Sequence, residues 1–238
     1  MRALKLKAKK NLKTSREKRT LITTANPKSA ISEQYRTIRT NIQFSMIDSS
    51  FKVLACTSPS PGEGKSTTIA NLAVTFAQQG QKVLLVDTDL RKPTIHQIMS
   101  ISNRQGLTNL ITKKVNMKEA IVSTRINNLS VLPSGPIPPN PSELLGSARM
   151  TELLEKLSEN FDLILFDTPP VLAVTDAQIL GNRCDGVVLV IKSGQTEKKN
   201  LVKAKELLDR AQVNMIGVII NGADAKSADY QYYYGEDK

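Results

Sequence analysis

Short runs of consecutive apolar residues, separated by longer amphipathic segments, recur along most of the chain. A run of this kind is typical of a β-strand covered on both faces, because a strand with one face in water alternates apolar and polar positions. The pattern therefore predicts an α/β fold, with a mainly parallel, twisted sheet and helices on both faces. The predicted strands lie at 51–57, 82–87, 129–132, 161–167, 186–191 and 214–220.

Helical periodicity occupies the intervals between these runs. Apolar residues three or four positions apart predict a helix over 65–79, with Gly80 as its C-terminal stop. Before the first strand, the same spacing predicts a helix over 32–46 with Ser32 as a possible N-cap. Two further helical segments are predicted near 142–158 and 196–212.

Length and composition suit one cytoplasmic domain. The 238 residues allow one substantial α/β domain but not two full-sized domains and a linker. The sequence has neither an apolar run long enough to cross a membrane nor the apolar segment of a signal peptide. Cys56 and Cys184 lack metal-ligand spacing and indicate no disulfide framework. The proline-rich stretch 133–141 is predicted to form a rigid surface loop.

Most of the net charge of +11 lies at the N-terminus. Residues 1–19 hold nine Lys or Arg against one Glu, which is +8 and leaves +3 for the rest of the chain. Such an arm could contact acidic lipid headgroups, an acidic partner or nucleic acid, or could be a solvated tail, so it selects no function. We predict a flexible basic arm over 1–26, one domain over 27–225 and a flexible tyrosine-rich tail over 226–238, and expect no nucleic-acid partner.

The loop at 58–67 carries the strongest chemical signal. It reads Ser-Pro-Ser-Pro-Gly-Glu-Gly-Lys-Ser-Thr, lies between a predicted strand and a predicted helix, and matches G-x-x-x-x-G-K-[ST] except for Pro59 at the first glycine position. Glycines in such a loop let backbone amides approach phosphate closely, while the lysine meets the β- and γ-phosphates and the next hydroxyl serves magnesium. The loop predicts an ATP and magnesium site formed by Pro61, Gly62, Glu63, Gly64, Lys65, Ser66 and Thr67.

Three aspartates are expected at the same edge of the sheet as this loop. Asp167 ends one predicted strand, and Asp87 and Asp89 lie at the tip of another, pointing the same way because alternate strand residues share a face. Carboxylates there can hold magnesium or accept a proton. Ser66, Asp87 and Asp167 are the predicted magnesium ligands. Either Asp87 or Asp89 is the predicted base, and these residues with Lys65 form the predicted catalytic set.

Three segments together resemble the Walker A, A′ and B motifs of the bacterial tyrosine kinases of capsule and exopolysaccharide synthesis: 58–67, 86–93 and 164–170. The resemblance covers nearly the whole chain from about residue 27 and implies a P-loop fold of the MinD and ParA-like type. Those ATPases carry a signature lysine where this chain has Ser60, which argues against their function. A regulatory ATPase of that class remains the alternative, and a nucleotide-sensing scaffold without turnover is a third.

Two further elements favour the kinase. Four of the five tyrosines lie within residues 230–234, and the family that the chain resembles autophosphorylates such a cluster between subunits. Residues 33–39 match the family's E-x-x-R-x-x-R element, which implies a ring-like homo-oligomer held through Glu33, Arg36 and Arg39. The predicted phosphoacceptors are Tyr230, Tyr232, Tyr233 and Tyr234.

The resemblance also implies partners and a location. It implies a separate transmembrane activator that recruits the kinase to the inner face of the membrane, and tyrosine-bearing protein substrates besides the tail. Asn221 resembles the family's adenine-reading asparagine, although Asn-Gly is also a common turn. Arg91 could offset phosphoryl charge or pair with nearby carboxylates, and His96 is predicted to be a plain surface residue.

Overall fold

A computed structural model describes residues 21–45 and 51–223. Seven strands in these ranges form one sheet, and every pairing is parallel except that of the first two strands in the order β3-β4-β2-β5-β1-β6-β7. The predicted mainly parallel sheet is therefore confirmed. The strands are β1 (Val53–Thr57), β2 (Val83–Asp87), β3 (Val122–Ser123), β4 (Leu129–Leu132), β5 (Leu163–Asp167), β6 (Gly186–Lys192) and β7 (Met215–Asn221).

Helices cover both faces of this sheet, and each face has its own apolar core. One core joins α2 and α3 to the sheet, with Ile42, Leu72 and Phe76 fully or nearly buried. The other joins α8 and α10 to the opposite face, with Leu157 and Leu208 fully buried. The helices are α1 (Ile22–Ala25), α2 (Ala30–Phe44), α3 (Lys65–Gln78), α4 (Ile95–Ile98), α5 (Leu107–Ile111), α6 (Met117–Ala120), α7 (Pro141–Gly146), α8 (Ala148–Asn160), α9 (Asp176–Gly181) and α10 (Lys198–Arg210).

The start of α2 corrects one prediction. The N-cap is Ser29, whose hydroxyl accepts a hydrogen bond from the backbone N–H of Ser32 at 3.2 Å. Ser32 is a buried residue inside the first turn, and its hydroxyl donates to the carbonyl of Asn26 at 2.7 Å. The predicted cap was three residues too late because two serines at this spacing satisfy the same sequence pattern.

The expected flexible arm over 1–26 is too long at its C-terminal end. Helix α1 packs on the domain, and Thr23 is buried there. The backbone N–H and the hydroxyl of Thr23 both donate to Oδ1 of Asn71, at 3.1 and 2.9 Å. Residues 21–26 therefore belong to the folded unit. The remainder of the arm, residues 1–20, lies outside the described residues.

The proline-rich stretch 133–141 is only partly the surface loop that was predicted. Its first residues are buried, and the carbonyls of Pro133 and Ser134 accept hydrogen bonds from the backbone N–H groups of Leu107 and Thr108 at 2.8 and 2.9 Å. Proline lacks an N–H donor but keeps its carbonyl acceptor, so it can still bind a neighbouring segment through that oxygen.

Candidate active site

The phosphate-binding loop lies between β1 and α3, where the sequence predicted it. Gly62 and Gly64 have φ angles of +84° and +94°, a region that favours glycine, and Gly64 is the N-cap residue of α3. The first N–H groups of a helix are left without intrahelical partners and attract anions. A cavity of about 470 Å³ opens in front of the loop and is lined by Lys65 and Asp89 as well as both glycines.

Gly64 is required for a second reason that the sequence did not indicate. A Cβ atom at this position would lie 2.0 Å from Nδ2 of Asn221. That Nδ2 donates to the carbonyl of Glu63 at 3.0 Å. The Asn221 side chain, at the end of β7, therefore contacts the backbone of the phosphate-binding loop.

The buried side chain of Glu63 stabilises the phosphate-binding loop through hydrogen bonds. This carboxylate is 2% exposed, and its Oε2 accepts from the backbone N–H of Ser60 at 3.1 Å. Its Oε1 accepts from the hydroxyl of Thr196 at 2.7 Å, and that hydroxyl in turn accepts from the backbone N–H of Lys192 at 2.8 Å. Thr196 was not predicted from the sequence, because an isolated threonine in a loop belongs to no recognisable motif.

Lys65 lies between two buried carboxylates. Its Nζ is 3.2 Å from Oδ2 of Asp89, 3.2 Å from Oδ1 of Asp167 and 3.2 Å from the hydroxyl of Ser66. Burial disfavours the charged ammonium, but the carboxylates of Asp167 and Asp89 outweigh burial and raise the pKa of Lys65 to about 12. Lys65 therefore remains protonated at neutral pH and can neutralise phosphate charge.

Asp87 and Asp167 lie at the tips of adjacent strands. Burial and the Asp167 carboxylate raise the pKa of Asp87 to about 8, and burial also raises the pKa of Asp167 against the opposing charge of Lys65. Oδ2 of Asp87 accepts from the backbone N–H groups of Thr94 and Ile95, both at 3.0 Å. Within the described ranges, Oδ1 of Asp87 and Oδ2 of Asp167 have no hydrogen-bond partner.

These oxygens suit a magnesium ion. Carboxylates and the Ser66 hydroxyl are hard oxygen ligands, and two of the carboxylate oxygens are buried without a partner in the described part of the chain. The described residues contain no cluster of three or more His, Cys, Asp and Glu arranged to hold a metal. Magnesium in nucleotide sites is usually bound by one or two carboxylates together with phosphate oxygens and water.

Arg91 is held by a buried carboxylate. Its Nε and Nη2 donate to Asp176 at 3.0 and 3.1 Å, and Nη2 also donates to the hydroxyl of Ser142 at 2.8 Å. The side chain is 38% exposed and lines the cavity. Of the two roles considered from the sequence, carboxylate pairing is present in this structure. His96 is half-buried on α4 and does not line the cavity.

The predicted oligomerisation residues lie on α2, away from the cavity. Glu33 and Arg36 form an ion pair within the helix, and Arg36 also donates to the carbonyl of Pro27 at 2.7 Å. Nη1 of Arg39 donates to the carbonyl of Thr75 on α3 at 3.0 Å. The predicted phosphoacceptors lie outside the described residues.

The phosphate-binding loop before a helix, the buried carboxylates and the mainly parallel sheet define a P-loop nucleotide-binding protein. A family model for an AAA domain matches residues 51–215. The septum site-determining protein MinD of Pyrococcus horikoshii OT3, complexed with Mg-ADP, has the same fold, with a TM-score of 0.61 over 74% of this chain and 73% of that one at 24% identity.

The chain belongs to the bacterial tyrosine-protein kinases. Tyrosine-protein kinase YwqD of Bacillus subtilis (strain 168) is 54% identical over 224 residues, which cover 94% of each chain. The kinase domain of the Escherichia coli tyrosine kinase ETK matches with a TM-score of 0.83 and 35% identity, over 91% of this chain and 84% of that one. The kinase class predicted from the motifs is thereby confirmed.

Proposed function

We propose that this kinase transfers the γ-phosphoryl group of ATP to the tyrosines at 230–234 of a neighbouring copy, and through this reaction regulates polysaccharide synthesis. The observation that carries the proposal is the position of Lys65, whose ammonium lies 3.2 Å from both Asp89 and Asp167 at the wall of the cavity. A protonated lysine at the phosphate-binding loop can neutralise phosphate charge, and phosphoryl transfer depends mainly on positioning and charge neutralisation.

Each residue of the site has a proposed role. The backbone amides around Gly62 and Gly64 bind the phosphates, and Lys65 neutralises the charge that develops on the transferred group. Ser66 and Asp167 hold magnesium, with Asp87 as the third protein group directed at the metal. When bound, magnesium supplies positive charge to the phosphate oxygens. Asn221, whose Nδ2 donates to the carbonyl of Glu63 at 3.0 Å, is the residue proposed to read adenine.

We assign the proton-accepting role to Asp89. Asp89 lines the cavity, whereas Asp87 and Asp167 are 0% exposed and lie behind it. The tyrosine oxygen forms a bond to the γ-phosphorus, the bond from that phosphorus to the bridging oxygen breaks to release ADP, and the phenolic proton passes to Asp89. A carboxylate is a weak base for a phenol of pKa about 10, so the proton leaves late in the transfer.

Assembly and location belong to the same proposal. A ring held by Glu33, Arg36 and Arg39 would present each tail to a neighbouring site, and a separate transmembrane activator would recruit the kinase to the inner face of the cell membrane. No helix of the described residues is long and apolar enough to span a bilayer. The support for a separate activator is the resemblance of the motifs, and tyrosine-bearing proteins are the proposed further substrates.

Mass spectrometry of the full-length protein, incubated with ATP, magnesium and the cytoplasmic segment of the activator, tests the proposal. We expect phosphate on residues 230–234, and expect Lys65→Met to abolish it because the charge beside Asp89 and Asp167 is lost. Lys118→Met, at an exposed position on α6, is the matched control and should retain activity. ATP hydrolysis without phosphotyrosine in the parent protein would overturn the kinase assignment for this chain.

A mixing experiment tests transfer between subunits. A catalytically intact chain that ends at residue 225 is incubated with the full-length Lys65→Met chain, so that the only tails present belong to the inactive copy. Phosphate on those tails supports transfer between copies. If the parent protein phosphorylates itself but this mixture gives none, the transfer is within one chain.

A further inference from the structure

A groove between α2 and β7 has no part in the site described above. Its volume is about 340 Å³, and it is bordered by the helix on one side and the strand on the other. β7 is the last strand in the sheet order, so its outer edge pairs with no other strand of the described residues. Val218 and Ile220 on this strand are 43% and 60% exposed. An exposed apolar edge strand is a ready site for pairing with another extended segment.

The lining of the groove has an unusual charge composition. Thirteen residues in the described part of the chain line it, and none of them is charged, although 23% of the chain is. Polar neutral groups from α2, such as Gln34, Thr37 and Asn41, face apolar positions of β7. The groove therefore fits an uncharged segment that brings both apolar surface and hydrogen-bonding groups.

We propose that the groove holds the tyrosine cluster 230–234 of the same chain before it is phosphorylated. The cluster reads Tyr-Gln-Tyr-Tyr-Tyr and is uncharged. Each tyrosine ring offers apolar area, and its hydroxyl can bond to amide or hydroxyl side chains such as Gln34 and Thr37. The basic arm fits less well, because residues 1–19 carry +8 and none of the described residues that line the groove is acidic.

The point at which the tail begins supports the same occupant. Ala223, the last described residue, itself lines the groove. Tyr230 follows seven residues later, a span of at most about 23 Å, and β7 has a similar length at about 3.3 Å per residue. A short tether gives the cluster an effective concentration in the millimolar range, so a weak intrinsic affinity is enough to populate the docked state.

Phosphorylation would end this docking. A phosphoryl group adds about −1.5 to −2 charges to a tyrosine, and the lining that the structure describes contains no lysine or arginine to receive them. This part of the inference rests on the proposed function, which supplies the phosphoryl group. The groove then holds the unmodified tail on its own chain. Once a tyrosine of the tail is phosphorylated, that tail no longer binds in the groove.

Cross-linking in the full-length Lys65→Met chain tests the docking without any phosphoryl transfer. Cysteines replace Asn41, in the groove, and Gln231, in the cluster, and Cys184→Ser removes the natural thiol that is not fully buried. With a short bismaleimide we expect an Asn41–Gln231 cross-link within one chain. The matched control replaces Ser193 instead of Asn41. Ser193 is exposed and lies outside the groove, and its backbone N–H donates to the carbonyl of Asn221 at the base of the tail.

The expected yield at Asn41 is severalfold above that at Ser193. Replacing all four tail tyrosines by glutamate should abolish this excess, while replacing them by phenylalanine, which keeps the rings, should retain most of it. Equal yields at the two positions would overturn docking within one chain. In a mixture of isotopically light and heavy chains, a cross-link that always joins two different chains would also overturn it. Because no transfer occurs in this variant, neither result bears on whether the parent protein is a tyrosine kinase.

Discussion

Asp87 and Asp167 are Cα partners in the adjacent parallel strands β2 and β5. The register brings two fully buried carboxylates to the same edge of the sheet, next to the ammonium group of Lys65. Two buried carboxylates side by side disfavour each other's ionised form, so both can be ionised only if a further cation binds next to them. The proposed magnesium site and the pH behaviour of the nucleotide-free protein both follow from this one strand pairing.

Asp87→Asn should make the stability of the nucleotide-free protein less sensitive to pH. Burial and Asp167 raise the pKa of Asp87 from 3.8 to about 8, so the folded protein holds a proton that the unfolded chain releases. The stability from this proton is complete below the unfolded pKa and is lost as the pH rises through about 8. Between the unfolded pKa of 3.8 and the folded pKa of about 8, we expect the free energy of unfolding to fall more steeply in the parent than in the variant. The difference is up to about 1.4 kcal/mol per pH unit.

Urea unfolding at a series of pH values without magnesium measures this difference. Asparagine can still accept the two backbone hydrogen bonds of Asp87, so the local fold should persist. Asp209→Asn, at an exposed position on α10, should leave the pH profile of the parent unchanged. Parallel profiles for the parent and Asp87→Asn would refute the proton on Asp87.

Gly64→Ala should destabilise the nucleotide-free fold more than Gly62→Ala. Both glycines have positive φ, so each alanine incurs backbone strain of about 1 kcal/mol. Only at Gly64 does the new Cβ also meet a neighbour, Nδ2 of Asn221 at 2.0 Å, whereas nothing lies within 4 Å at Gly62. Thermal unfolding measures the stability lost in each variant. Gly62→Ala reports backbone strain alone, and Gly64→Ala reports strain together with the overlap with Asn221.

Adding Asn221→Ala to each glycine variant identifies the overlap. The second substitution should recover stability in the Gly64→Ala background, because it removes the overlapping amide, and should recover none in the Gly62→Ala background. Independent, additive effects in both double variants would show that Asn221 is not the group that requires glycine at 64.

Thr196→Val should weaken ATP binding although Thr196 does not line the cavity. Valine keeps the shape but removes the hydroxyl that donates to the buried Glu63 carboxylate at 2.7 Å. Removing one hydrogen-bond partner from a buried carboxylate costs about 1–3 kcal/mol, and if this cost is incurred only in the ATP-bound loop, the dissociation constant rises by roughly 5-fold to 160-fold. Calorimetric titration with Mg-ATP measures the effect.

Thr196→Ser is the matched control for this titration, since serine retains the hydroxyl. Its affinity for Mg-ATP should stay close to that of the parent. If Thr196→Val binds Mg-ATP as tightly as the parent, the Thr196 hydroxyl and its hydrogen bond to Glu63 have no role in holding the loop.

Arg36→Ala should weaken the assembly while leaving the free energy of unfolding of the chain nearly unchanged. Arg36 bonds to Glu33 and to the carbonyl of Pro27 at the surface, contacts that contribute little, whereas Arg39 is anchored to the carbonyl of Thr75 on α3. We expect Arg39→Ala to lower the free energy of unfolding by about 1 kcal/mol and Arg36→Ala by less than about 0.5 kcal/mol. Native mass spectrometry should show a smaller assembly for Arg36→Ala. An unchanged assembly would contradict the proposed role of Arg36 in the ring.

The elements that sequence reasoning found are those with a strong local signal. Each predicted strand exists, because short apolar runs between turn residues are typical of strands covered on both faces. β3 was missed because it has two residues and exists through its pairing with β4. The four-residue helices α1, α4 and α6 are too short to show helical periodicity.

The candidate site divides in the same way. The motif at 58–67 and the strand-tip aspartates are recognisable because their neighbours in the chain define their position. The contacts of Glu63 are not, since Thr196 and Asn221 lie 133 and 158 positions away along the chain. No local pattern relates residues at such separations. The sequence likewise did not show that Asp89 lines the cavity and Asp87 does not.

The amino-acid sequence by itself determined the sheet, the phosphate-binding loop and the tyrosine kinase family, because each depends on residues that are close in the chain or on a motif. Tertiary structure alone decided that Asn221 excludes a side chain at Gly64, that Thr196 supports Glu63 and that Asp87 and Asp167 lie side by side. These relationships depend on strand register and loop packing, in which residues distant in sequence come within hydrogen-bonding distance.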